Sequence, residues 1–197
     1  MNNLETMSDE ELALSYIDGN NSAFDILLQR NESKVFSYIL FVVHDKEKAN
    51  DIFQETFVKV IVKLRQGKYT SNGKFSAWVL RIARNIMLDG FREQKRDNVV
   101  EARQDNDLSN FGCEMLDGNI ENKFINDQVL LDVKKMMNLL PETQREVVFM
   151  RFYQDMSFKE IAEVTNVSIN TALGRMRYAI LNLRRMAKTY DIALQLD

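Results

Sequence analysis

Residues 157–189 read SFKEIAEVTNVSINTALGRMRYAILNLRRMAKT, with the punctuation of two helices meeting across a tight turn. Ser157-x-x-Glu160 is a capping box, in which a hydroxyl and a carboxylate each satisfy the other's backbone amide. It opens a short helix with Ile161, Ala162 and Val164 as apolar residues. Thr165-Asn166-Val167 makes the connection, and Ser168 caps a longer helix. If Ala172, Met176, Ala179 and Leu183 face a core, then Asn170, Gly174 and Arg177 point the other way, with Thr171 and Tyr178 on one flank. This is a helix-turn-helix. Its outward face suits a major groove, because Asn and Arg side chains can read base edges, while Thr hydroxyls and N-terminal amides can hold phosphate. Gly174 costs roughly 1 kcal/mol relative to Ala in a helix interior. Close approach of the backbone to DNA would account for its presence.

Upstream of that pair, Val147, Val148, Met150 and Phe152 give apolar surface to a helix that Gln154-Asp155 breaks. Pro141, the one proline, suits its first turn, where a missing N–H costs nothing. A preceding helix carries Val129, Leu130, Val133, Met136, Met137 and Leu140. Between 97 and 126 periodicity disappears and acidic residues outnumber basic ones, which predicts a flexible, solvated linker. The N-terminal part predicts four helices. Ser8-x-x-Glu11 is a second capping box, and its helix closes near Gly19. Ser22 caps the next, which carries Phe24, Leu27, Leu28, Val35, Tyr38, Ile39 and Val42 and ends near His44. Asp45 begins the third. There Ala49, Ile52, Phe53, Thr56, Phe57, Val60 and Leu64 make an amphipathic stripe, and Asp51, Gln54, Glu55 and Val58 lie opposite it. Gln66 to Lys74 is a polar loop, followed by a fourth helix that buries Phe75, Trp78, Val79, Ile82, Ala83 and Ile86. Its far side carries Arg81, Arg84, Asn85, Leu88 and Arg92, a basic face with a polar amide that could meet a DNA strand.

The fold class is therefore all-α: two small helical domains, 8–96 and 127–190, joined by the linker 97–126, the second domain containing the helix-turn-helix. With seven glycines and one proline in 197 residues, a turn-rich β fold is excluded. A single cysteine, Cys113, and a single histidine, His44, exclude a disulfide framework and a Cys/His zinc site within one chain. No apolar run approaches the roughly 18 residues of a membrane span, and residues 1–11 are acidic and polar, unlike a signal peptide. A cytoplasmic protein without membrane insertion is expected. The formal net charge is −3, yet no acidic residue occurs between Val164 and Thr189, where Arg175, Arg177, Arg184, Arg185 and Lys188 lie. Lys74, Arg81, Arg84, Arg92, Lys95 and Arg96 form a second basic concentration, opposed only by Asp89 and Glu93. Two basic patches in an acidic chain fit a protein that touches DNA but takes most of its affinity from a partner.

Taken together, these stretches resemble the sigma subunits of bacterial RNA polymerase, specifically the two-domain extracytoplasmic-function type, over residues 10–188. The resemblance rests on Asp51-Ile-Phe-Gln-Glu-Thr-Phe57, on Phe75-Ser-Ala-Trp-Val-Leu-Arg-Ile-Ala-Arg-Asn85 with Asp89 and Arg92, on Leu140-Pro141, and on the helix-turn-helix with Arg175 inside it. It implies a promoter-recognition subunit that performs no catalysis and needs neither cofactor nor metal. Asp51, Gln54, Glu55 and Val58 would then dock on the clamp helices of core RNA polymerase. The loop residues Tyr69, Ser71, Asn72 and Lys74, with Asn85, would capture a flipped base of the minus-ten promoter strand, and Arg81, Arg84 and Arg92 would hold the adjacent backbone. Ser168, Asn170, Thr171, Gly174, Arg175 and Arg177 would read the minus-thirty-five element. For Arg175 the resemblance implies a DNA contact, whereas the helical period turns it toward the core. Many relatives carry a lysine where Leu173 stands and a basic residue where Tyr178 stands, so phosphate contacts there differ. The resemblance also implies an anti-sigma protein as a partner.

A second reading of the same residues is a conventional regulator, whose N-terminal helices sense a ligand or dimerise while the helix-turn-helix binds an operator. An enzyme is poorly supported, since there is no phosphate-cradling glycine loop and the carboxylates lie on amphipathic polar faces.

Overall fold

A computed structural model of the protein describes residues 4–70, 73–98 and 135–189. Every regular element among them is helical. The chain divides into an N-terminal and a C-terminal compact unit.

The N-terminal unit holds a short 3-10 turn, Leu4–Thr6, then α1 (Asp9–Ile17), α2 (Asn21–Val43), α3 (Lys46–Arg65) and α4 (Phe75–Asn98). Ser8 caps α1 through the expected box: its backbone N–H donates to Glu11 Oε2 at 2.7 Å, and the Glu11 N–H donates to its hydroxyl at 3.3 Å. Gly19, at φ 103°, ends α1, and the Asn20 N–H donates back to the Ser15 carbonyl. That left-handed residue closes a Schellman motif and is easiest for glycine. The chain re-enters helix at once, so Asn20 rather than Ser22 occupies the cap of α2, and it caps without a side-chain hydrogen bond. Asp45 caps α3 as expected, accepting from the Glu47 and Lys48 amides.

Of the predicted α3 stripe, Ala49, Thr56, Phe57, Val60 and Leu64 are buried, and Ile52 and Phe53 are half-buried. Along α4, Phe75, Val79, Ile82, Ala83 and Ile86 are buried with Ala77, Leu80 and Met87, while Trp78 is half-buried. An aromatic chain runs through this core, from Tyr16 to Phe24 (5.0 Å between ring centroids), Phe57 (6.4 Å) and Phe53 (4.9 Å). Large tilted rings of this kind supply much of the apolar burial that offsets chain entropy in a small domain.

In the C-terminal unit a helical turn at 135–138 precedes α5 (Glu142–Phe152), α6 (Phe158–Thr165) and α7 (Ile169–Thr189). Pro141 stands one residue earlier than expected, at the cap of α5, where its carbonyl accepts from the Gln144 and Arg145 amides. The Ser157–Glu160 box forms at the start of α6. Asn166, at φ 54°, terminates α6, and the Val167 N–H donates to the Ala162 carbonyl. Asn tolerates that left-handed turn better than most residues. Ala172, Met176 and Ala179 are buried as predicted, with Leu183 half-buried. The Asn182 amide donates to Gln144 Oε1 at 2.9 Å, tying α7 to α5.

The linker from 99 onward, Cys113, Ser71, Asn72 and the predicted helical residues Val129, Leu130 and Val133 lie outside the described residues. Residues 97 and 98, assigned to the linker from sequence, continue α4.

Candidate nucleic-acid interface

Three helix faces carry the polar residues singled out above. On α3, Asp51, Gln54, Glu55 and Val58 recur at steps of three, one and three, which stacks them in one row away from the core. All four are exposed, and Glu55 pairs with Lys59 at 2.7 Å. Val58 is 58% exposed, and Val62, one turn on, is 44% exposed. Val62 therefore extends the row, a residue that sequence reasoning missed although the step of four from Val58 was there to see. Aliphatic side chains flanked by carboxylates fit a protein partner better than a nucleic acid.

On α4, Arg81, Asn85 and Arg92 are exposed at steps of four and seven, a continuous strip with half-buried Leu88, and half-buried Arg84 on its flank. Arg92 pairs with Asp89 at 2.9 Å, both side chains largely in solvent. Such a pair is worth about 0–1 kcal/mol, so a phosphate can displace it easily. The N-terminal end of α4 departs from expectation. Tyr69 is only 8% exposed, its ring 5.5 Å from that of Phe75 and 4.8 Å from that of Trp78. Its hydroxyl donates to Glu10 Oε1 at 3.0 Å. Burial, then the hydrogen bond to that carboxylate and its charge, hold the Tyr69 hydroxyl protonated far above the usual tyrosine range. Tyr69 is thus packed against Phe75 and Trp78, with its hydroxyl held by Glu10. Lys74 occupies the cap position of α4, its carbonyl accepting from the Trp78 amide.

On α7, the Ser168 hydroxyl accepts from the Thr171 N–H at 3.0 Å and lies 2.8 Å from the Thr171 hydroxyl. Ser168, Asn170, Thr171 and Arg177 are exposed. Gly174 is half-buried, and a methyl group added there would meet nothing within 4 Å, so the protein's own packing does not demand a glycine. Arg175 is half-buried, as the period predicts, and its Nη1 finds no acceptor among the described residues. Two exposed aliphatic residues, Ile169 and Leu173, border the Asn170–Arg177 face.

Residues 27–97 match the family model for Sigma-70 region 2, and residues 130–175 match that for Sigma-70, region 4, together more than half of the chain. The chain belongs to the sigma-70 family of RNA polymerase sigma factors, of the extracytoplasmic-function type. Region 2 covers most of α2 with all of α3 and nearly all of α4, and region 4 runs from before α5 to Arg175 in α7. The RNA polymerase sigma-H factor of Pseudomonas aeruginosa is 26% identical over 178 residues, spanning 85% of this chain and 88% of that protein. SigW, an ECF RNA polymerase sigma factor of Bacillus subtilis, is 24% identical over 173 residues, 86% of this chain and 91% of that one. Among solved structures, the sigma factor RpoE in complex with the anti-sigma factor NepR from Bartonella quintana aligns with a TM-score of 0.65 at 21% identity, covering 84% of this chain and 96% of that one. CnrH in complex with the cytosolic domain of CnrY gives 0.63 at 22% identity, covering 93% and 99%. At those identities what is shared is the fold. The conventional-regulator alternative is not favoured, because the N-terminal helices are a sigma-factor region and not a separate sensing module. Among the described residues no helix is long and apolar enough to cross a membrane, and no cluster of His, Cys, Asp or Glu could hold a metal ion.

Proposed function

We infer that this sigma factor is a dissociable specificity subunit: it docks on core RNA polymerase, reads two promoter elements with separate domains, and helps open the upstream edge of the bubble. The observation that carries this reading is the coexistence, in one chain, of an exposed acidic and aliphatic α3 face with two basic faces on α4 and α7. The domains act as 8–98 and 127–190, with 99–126 between them. Asp51, Gln54, Glu55 and Val58, extended by Val62, form the surface for the polymerase clamp helices. Lys74, Arg81, Arg84, Asn85 and Arg92, with Ser71 and Asn72, serve the minus-ten element. Asn170, Thr171 and Arg177 read the minus-thirty-five element, the amides at the Ser168-capped end hold a phosphate, and a DNA phosphate would supply the acceptor that Arg175 Nη1 lacks. The protein works in the cytoplasm, is not an enzyme and is restrained by an anti-sigma protein, a partner class in the company of which RpoE was solved.

Run-off transcription with purified core polymerase on a randomised promoter library tests the reading. Selective transcripts that require this chain are expected. Tight promoter binding by the free chain at moderate salt, with no stimulation of polymerase, would overturn it.

A further inference from the structure

The acidic first turn of α1 does not simply serve its own helix. Asp9 accepts from Arg30 Nη1 at 3.0 Å and from the buried Asn31 amide at 3.1 Å, and the Ser76 hydroxyl in turn donates to Asn31 Oδ1. The Arg30 guanidinium also donates to the Met7 and Glu5 carbonyls, both at 2.7 Å. This holds α1 firmly against α2 and the start of α4. Glu10, so placed, uses a single oxygen twice: Oε1 accepts from the Tyr69 hydroxyl at 3.0 Å and from the Phe75 backbone N–H at 3.1 Å. Those two donors are a residue of the α3–α4 connection and the first residue of α4.

A helix leaves its first amides without intrahelical partners, and the cap side chain normally satisfies one of them. At the cap of α4 stands Lys74, which has no acceptor to offer and whose charge opposes the helix dipole. Glu10 supplies the missing acceptor from 65 residues away. Its negative charge also suits the positive end of α4. Glu10 lies outside the matched region 2, which begins at residue 27.

We propose that Glu10 is a positioning residue for minus-ten recognition: by pinning Tyr69 and the first amide of α4 to one carboxylate oxygen, it sets the geometry from which Lys74, Arg81 and Asn85 meet the promoter strand. The proposal rests on the reading of the α4 face as the minus-ten contact. Core docking, which uses α3, does not depend on Glu10.

The test uses holoenzyme assembled from the full chain and a duplex promoter library randomised over the minus-ten element, with base preference read by sequencing the transcripts. Glu10→Ala is expected to flatten the preference by about fivefold, the scale of one or two lost hydrogen bonds. Glu10→Gln, which keeps the acceptor oxygen, is expected to preserve it within about twofold, and core affinity is expected to be unchanged in both. A general loss of stability would lower output without moving the preference. If Glu10→Ala does not unfold cooperatively, Tyr69→Phe removes one of the two bonds and is expected to give a smaller flattening. Unaltered preference in the folded Glu10→Ala variant, or in Tyr69→Phe if the former fails, overturns the proposal. Asn85→Ala separates the two levels: altered preference there with none for Glu10 sinks this proposal alone, whereas no change in either sinks the minus-ten reading and the proposal with it.

Discussion

Asn31 is 1% exposed, and its amide bonds to Asp9, to the Leu27 carbonyl and to Ser76. Replacing it by alanine strands at least one of those groups away from water, and a loss of about 2–3 kcal/mol is expected from urea unfolding. Tyr69→Phe removes one hydrogen bond to a charged acceptor while keeping the ring, and should cost less, about 1–2 kcal/mol in the same assay. Thr56→Val makes a contrast. Its hydroxyl donates only to the Ile52 carbonyl one turn back, at 2.7 Å. That carbonyl already serves the helix, so the substitution should lie within about 1 kcal/mol of neutral. Single residues were also where the sequence was least legible. An aromatic next to a polar loop gives no local sign of which way its ring turns, so Tyr69 passes for a surface group until Glu10, far away in the chain, is seen to meet it.

At the scale of elements, local punctuation was largely legible, because capping boxes and stripes are short-range. The Ser8–Glu11 and Ser157–Glu160 boxes, the α3 stripe and the α7 core positions all follow from spacings of three and four. Ser22 was misplaced because the glycine turn at 19 returns the chain to helix sooner than a new cap requires. Hydrogen bonds from the Ser8 backbone amide and hydroxyl lower the pKa of Glu11 from its ordinary value. A carboxylate stabilised when charged contributes above its unfolded value and ceases to contribute as pH falls through its folded one. Protection of the first α1 amides against hydrogen exchange should therefore persist through mild acid and fade only below the ordinary glutamate range. For α7, Gly174→Ala meets open space and is expected to raise stability by about 1 kcal/mol, read as an increase in Tm. If the backbone there approaches DNA, the same change lowers transcription from promoters that need the minus-thirty-five element. Equal transcription would mean that the glycine has no part in contact.

For the molecule as a whole, the net charge of −3 weakens unaided attraction to phosphate, so affinity for promoters has to come from simultaneous attachment through polymerase. Converting both Asp51 and Glu55 to lysine should abolish capture of core polymerase in a pull-down and leave the thermal unfolding of the free chain within a few degrees, since both side chains are exposed. Retained capture would remove α3 as the docking surface. The order of modules was legible because each leaves its own periodic trace. The support that α1 lends to α4 was not, since no spacing rule connects residues so far apart.

Glu10 stands upstream of the stretch that matches region 2. Anyone transplanting promoter preference between relatives would naturally cut at the borders of that stretch, carrying 27–97 as the portable cassette. On the proposed reading, such a chimera inherits the side chains that meet the promoter but leaves behind the carboxylate that accepts from the first amide of their helix. Splicing ahead of Ser8 instead moves the anchor together with the cargo, and should transfer the donor's preference where the shorter graft gives only a blurred copy.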